Sequence, residues 1–151
     1  MNTHVRDNLR ATEYAVYTEF TSAVNVTSTN EAAPDTIVTA GAFTARAEPL
    51  DLIFYCPFAQ TDNTAGATIT LNLWEDGVDL GRIARIKESS SANPGSNTAP
   101  VYVRRRHTPT AASHTYSIRA WVSVATGVVT AGAGGAGVAM PGYIAAQYVP
   151  D

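Results

Sequence analysis

Three histidines are the first residues to test for chemistry: His4, His107 and His114. His107 and His114 bracket one connection and can approach each other in space. A metal centre wants further ligands at the right spacing, and no Cys or carboxylate cluster stands close by. No metal is expected, and both read as polar residues at strand ends. Glu75, Asp76 and Asp79 cluster around an Asp-Gly turn. Paired carboxylates do acid–base work when their environments push their pKa values apart. On an exposed hairpin tip both stay ionised, so a solvated turn is preferred over a weak calcium site. Arg104-Arg105-Arg106 is the run of like charge. On a strand, Arg104 and Arg106 share one face and Arg105 takes the other. Such forks suit phosphate, a sialic-type carboxylate, or Asp and Glu of an adjacent subunit. A solvated or interfacial face is the preferred reading.

Trp74, Tyr102 and Trp121 fall on the polar faces of their strands. Together they could pave a sugar platform, or rest against a neighbouring chain. Cys56 lies inside the apolar run Leu52-Ile53-Phe54-Tyr55-Cys56-Pro57-Phe58 and reads as a small buried hydrophobe, not a nucleophile. No Gly-rich phosphate loop, Ser-His-Asp order or Cys-His pairing is visible. The Ala-Gly run over 131–137 lacks the Lys-Ser/Thr ending of a P-loop. No catalytic residue and no cofactor follow from this inventory, and the chain reads as a non-enzyme.

The elements that must carry these residues are strands. The chain has 151 residues, which suits one domain with a real core. Charged residues make up 15%, and Ala, Thr, Ser, Gly and Val dominate, a composition suited to sheet. The net charge of −3 argues against nucleic acid as a partner. Lys87 is the one lysine, so arginine carries nearly all the positive charge. One cysteine excludes an intramolecular disulfide. No apolar run reaches the length of a membrane helix, and no signal-peptide pattern opens the chain, so synthesis in the cytoplasm is expected.

Residues 1–13 predict a short helical segment, with Asn2 and Thr3 as caps and a thin seam of Val5 and Leu9. Such a helix is marginal alone and needs a surface to lie on. Residues 14–151 form the second unit. Strands are predicted over 16–28, 36–39 and 50–58, the last apolar on both faces. Residues 67–87 predict a hairpin whose Asp76-Gly77 turn needs positive φ at both central positions. Residues 88–99 predict a loop. Residues 101–105 and 114–124 read as the two strands of a central hairpin. In the second strand His114, Tyr116, Ile118, Ala120, Val122 and Val124 form one face, in a clean period of two. Residues 127–130 and 138–149 complete the set. In the last strand Tyr143, Ala145 and Gln147 oppose Ile144, Ala146 and Tyr148. The expected fold is all-β: an antiparallel β-sandwich, jelly-roll-like, of about eight strands, with a short N-terminal helix.

Two stretches resemble known proteins. Asn2-Thr3-His4-Val5-Arg6-Asp7-Asn8-Leu9 resembles a segment near the N-terminus of minor tail and other virion proteins of tailed bacteriophages, especially those of high-GC actinobacterial hosts. Ser113-His114-Thr115-Tyr116-Ser117-Ile118-Arg119-Ala120-Trp121 resembles the penultimate strands of small β-sandwich domains in phage fibre, tail-tip and head-decoration proteins. Residues 135–148 resemble their closing strand.

The resemblance implies a non-enzymatic, often trimeric virion component added to the outside of a particle. On that reading Asn2, His4, Val5, Arg6 and Leu9 anchor and assemble the protein. Trp74, Tyr102, Arg104, Arg105, Arg106 and Trp121 meet a ligand or a subunit. The partners are further copies in a homotrimer, other virion proteins of the tail or the major capsid protein, and possible host surface glycans. Neither nucleic acid nor a membrane is expected as a partner. A minor tail or tail-tip protein is the leading expectation. A capsid decoration protein and a carbohydrate- or receptor-binding module are the alternatives.

Overall fold

The computed structural model describes residues 14–88 and 95–149; the anchor segment over 1–13, with its expected helix, lies outside them. Twelve strands follow one another within the described residues. They are β1 (Tyr14–Phe20), β2 (Val24–Val26), β3 (Asp35–Thr39), β4 (Phe43–Thr44), β5 (Leu50–Gln60) and β6 (Thr68–Glu75). Then come β7 (Val78–Lys87), β8 (Thr98–His107), β9 (Ser113–His114), β10 (Tyr116–Val122), β11 (Gly127–Thr130) and β12 (Gly142–Tyr148).

Eight of these have five or more residues: β1, β3, β5, β6, β7, β8, β10 and β12. One sheet orders them β1-β12-β5-β8, and the other β3-β10-β6-β7. Counted along the chain as first to eighth, the orders are 1-8-3-6 and 2-7-4-5. Every step changes sheet except the β6–β7 hairpin. Two four-stranded antiparallel sheets linked in this way are a jelly roll. The expected class and strand number hold. The four short strands are additions: β11 and β2 continue the first sheet past β12, along the end of β5, and β4 pairs β9.

The core follows from alternation. Leu50, Leu52, Phe54 and Cys56 of β5 face Ile69, Leu71 and Leu73 of β6 across the sandwich. Tyr116, Ile118, Ala120 and Val122 of β10, with Ile144, Ala146 and Tyr148 of β12, fill the same layer. Each fully buried aliphatic side chain contributes about 1.5–3 kcal/mol over leaving it in water. Cys56 is fully buried, and burial pushes its thiol up to about 12, so it packs as a hydrophobe.

The β6–β7 hairpin turns at Asp76 (φ 49°) and Gly77 (φ 84°), the two positive values that the Asp-Gly pair predicts. The Ala-Gly run does not wander: Gly132 N donates to Met140 O and Gly134 N to Ala139 O, both at 3.1 Å. A Cβ at Gly132 would strike the Ala139 carbonyl, so two backbones pack there at a distance that only glycine allows.

Two strand expectations need correction. The stretch over 16–28 is not one strand: β1 pairs β12 and β2 pairs β11, so the chain breaks between two different neighbours. More consequentially, residues 101–124 do not form a hairpin. β8 pairs β5, whereas β10 lies between β3 and β6 in the opposite sheet. Residues 108–112 cross from sheet to sheet. Alternation states which side of a strand is apolar and is silent on which strand lies beside it.

Candidate functional site: a tyrosine face and an inter-sheet cluster

The outer face of the first sheet is a lattice set by register. One row across it is Glu19, Tyr143, Tyr55 and Tyr102, on β1, β12, β5 and β8. The next is Tyr17, Ala145, Ile53 and Arg104. The third is Tyr14, Gln147, Asp51 and Arg106. A bulge in β1 between Tyr14 and Val16 brings Tyr14 and Tyr17, three residues apart, onto one face. Five tyrosines thus share the surface. Tyr14 and Tyr17 lie 5.7 Å apart between centroids, Tyr17 and Tyr143 stack at 5.3 Å, and Tyr143 and Tyr55 meet at 5.8 Å. Tyr102 is 62% exposed, Tyr14 50% and Tyr17 46%. Ala145, at the centre, is fully buried, so its neighbours' side chains lie over it.

A polar clamp closes one side of this face. Asp51 is buried, and Arg104 Nε donates to its Oδ2 at 2.7 Å while Arg106 Nε donates to Oδ1 at 3.1 Å. Arg104 Nη2 also contacts Oδ2. Burial pushes the Asp51 carboxyl up, but the two guanidiniums more than offset this and hold it below the usual carboxylate range. At the opposite corner Tyr17 Oη donates to Glu19 Oε1 at 2.7 Å, which with desolvation pushes the Tyr17 hydroxyl up to about 12. Burial likewise raises the Tyr143 hydroxyl.

The predicted contact residues are split by the fold. Tyr102, Arg104 and Arg106 share the tyrosine face. Arg105 points to the other side, as expected, and its Nη1 donates to Leu80 O at 2.6 Å. Trp74 and Trp121 are on β6 and β10, in the opposite sheet, so the expected three-aromatic platform is not one surface. Trp74 is buried, with the Arg119 guanidinium 4.5 Å from its ring centroid. Tyr14, Tyr17, Tyr55 and Tyr143 were not singled out from sequence. Tyr143 stands in a correctly assigned alternation, but nothing in single-strand patterning shows that β12 lies beside β5. Asn2, His4, Val5, Arg6 and Leu9 are outside the described residues.

A second cluster ties the sheets together. Glu75, at the end of β6, offers Oε1 to three partners. His107 Nε2 on β8 lies at 3.1 Å, His114 Nδ1 at 3.3 Å, and Tyr116 Oη donates at 2.7 Å. Asp76 accepts from Thr115 N through Oδ1 at 2.8 Å and lies 2.8 Å from His114 Nδ1 through Oδ2. His107 and His114 do approach, as their spacing suggests. The turn is exposed from Asp76 to Asp79, as expected, and in addition Glu75 and Asp76 are tied to partners on other strands. His114 Nε2 faces the Thr110 carbonyl at 3.1 Å, so acceptor oxygens stand at both ring nitrogens. An imidazolium, a donor at both, satisfies them, and the Thr110 hydroxyl, 3.2 Å from Nε2, can donate to the ring when it is neutral. Burial alone lowers the His114 pKa, but hydrogen bonds to Asp76 and Thr110, with the charges of Glu75 and Asp76, raise it overall. Among the described residues no group of three or more His, Cys, Asp and Glu side chains is arranged to hold a metal ion.

A small pocket between the sheets is walled by Leu52, Leu73, Ile83, Val103, Ile118 and Ile144 among others, all apolar, with no convergent polar group. Among the described residues no helix is long and apolar enough to cross a membrane.

No family model matches the chain, and no curated protein matches it. Solved structures align with the chain at low identity and low TM-score. A sugar-binding protein, the EclA C-terminal domain, aligns at 15% identity and TM-score 0.35, over 83% of this chain and 74% of that one. The infectious bursal disease virus VP2 subviral particle aligns at 13% identity and TM-score 0.35, over 88% of this chain and 37% of that one. Latent PorU from Porphyromonas gingivalis aligns at 10% identity and TM-score 0.41, over 91% of this chain and 13% of that one. The chain therefore spans little more than a third, or less, of the last two.

Proposed function

We propose that this chain is a non-enzymatic structural component of a tailed-phage virion, a minor tail or tail-tip protein. The segment from Asn2 to Leu9 attaches it, and the jelly roll presents its tyrosine face outward from the particle. One observation carries the working surface: five tyrosines from four strands lie on one open sheet face, beside a buried carboxylate clamped by two arginines. A face of tyrosine and arginine is built for contact, since both residue types concentrate binding energy. It is an exposed sheet face, which suits adhesion or assembly. The phage context rests on the two resembling stretches. The protein assembles as a homotrimer on this reading, with other virion proteins as partners.

Val5→Asp with Leu9→Asp in one chain tests the attachment. The variant is expected to fold, shown by an unchanged melting curve, and to disappear from purified particles. Undiminished incorporation would refute the anchoring role.

A further inference from the structure

Resting on the reading of the tyrosine face as the working surface, we infer that this face binds a neutral saccharide. Tyr17, Tyr143, Tyr55 and Tyr102 form a path of rings across four adjacent strands, with centroid spacings of 5.3 and 5.8 Å along the part from Tyr17 to Tyr55. Aromatic faces accept the apolar face of a pyranose, and each ring keeps a hydroxyl to meet sugar hydroxyls. A guanidinium has five N–H donors, and the clamp on Asp51 uses Nε and Nη2 of Arg104 and Nε of Arg106. The remaining donors stand at exposed side chains, 57% and 59% accessible, beside the ring path.

Charge selects the class of ligand. The face holds Arg104 and Arg106 against Asp51 and Glu19, two charges of each sign, which cancel. A phosphate or a sugar acid would have to compete with Asp51 for its own clamp, and nucleic acid meets a chain of net charge −3. Among the described residues the exposed large hydrophobes other than tyrosine are Val78, Val124, Val138 and Met140, and none of these is on β1, β5, β8 or β12. Tyrosine and arginine also serve contacts between proteins, so a second copy of the chain is the competing occupant that the oligomer measurement below must separate. Tyrosines fixed on a sheet lose little freedom on binding.

The test is native affinity electrophoresis of the full chain in gels containing dextran, galactomannan, arabinogalactan or mixed-linkage β-glucan, with heparin as the anionic comparison. Retardation by at least one neutral polysaccharide is expected, and none by heparin. Tyr102→Ala and Tyr143→Ala should each weaken retardation on the order of tenfold, and Trp121→Phe, on the other sheet, should not. The melting temperature checks that each variant folds. No retardation by any neutral polysaccharide, retardation by heparin alone, or retardation indifferent to both tyrosine variants would overturn the inference. Sedimentation velocity and particle incorporation of the Tyr102→Ala, Tyr143→Ala double variant separate the two layers of the account. Normal assembly without saccharide binding leaves the virion role standing and removes only this inference. Loss of the oligomer would make the face a contact between copies and also overturn the inference.

Discussion

His107 Nε2 on β8 lies 3.1 Å from Glu75 Oε1 on β6, and this contact joins the two sheets of the sandwich at one end. Glu75 also accepts from the buried Tyr116 hydroxyl, so one carboxylate serves two layers. Glu75→Ala should leave that hydroxyl without a partner and cost about 1–3 kcal/mol. For a domain of this size that is a melting temperature lower by roughly 2–4 °C per kcal/mol. Glu75→Gln, which still accepts from Tyr116, should lose less. Equal losses in thermal denaturation would show that the charge, not the hydrogen bond, matters.

The same cluster sets a pH dependence. The folded-state pKa of His114 is raised, so its contribution to stability is full below the unfolded value of 6.5 and is lost as pH rises through the folded value. The pKa values of Asp51 and Asp76 are lowered, so their contributions hold above 3.8 and are lost as pH falls through the folded values. Glu75 and Asp76 face His114 from the hairpin, and His107 faces the same Glu75 from β8. Urea midpoints followed from pH 5 to 9 should decline on the alkaline side in the wild type. His114→Gln should flatten that decline. An unchanged slope would mean that His114 is neutral in the folded protein.

How much of this the sequence made legible divides along a physical line. Period two in β10, the doubly apolar β5 and the Asp-Gly turn each report a local preference, and each was read correctly. The face carrying Ile144, Ala146 and Tyr148 was legible in the same way. Which strands lie side by side depends on long-range pairing, and no single strand encodes it. That is why residues 101–124 read as a hairpin and why Trp74 and Trp121 were grouped with Tyr102. It is also why the Tyr55–Tyr143 pair and the Glu75 hub went unseen: each joins residues far apart in the chain.

The Asp51 clamp makes a third prediction. Arg104→Ala with Arg106→Ala leaves a buried carboxylate without its donors, and should cost about 1–3 kcal/mol by chemical denaturation. Adding Asp51→Asn to that pair should recover part of the loss, because the charge is gone. No recovery would show that the arginine stems, rather than the charges, do the stabilising.

Close packing makes a fourth. A Cβ at Gly142 would run into the Phe20 ring, which stacks against Phe54 at 6.3 Å. Gly142→Ala should therefore destabilise by about 1–3 kcal/mol through displacement of that ring. Phe20→Leu in the same chain should relieve part of the cost. Independent, additive losses in the double variant would refute the clash.

Immunogold electron microscopy on whole phage particles, with an antibody raised against residues 14–151, locates the protein on the virion. Gold is expected at the tail. Gold spread over the capsid would contradict the tail assignment and make this a decoration protein. No gold on any particle would contradict the virion role itself.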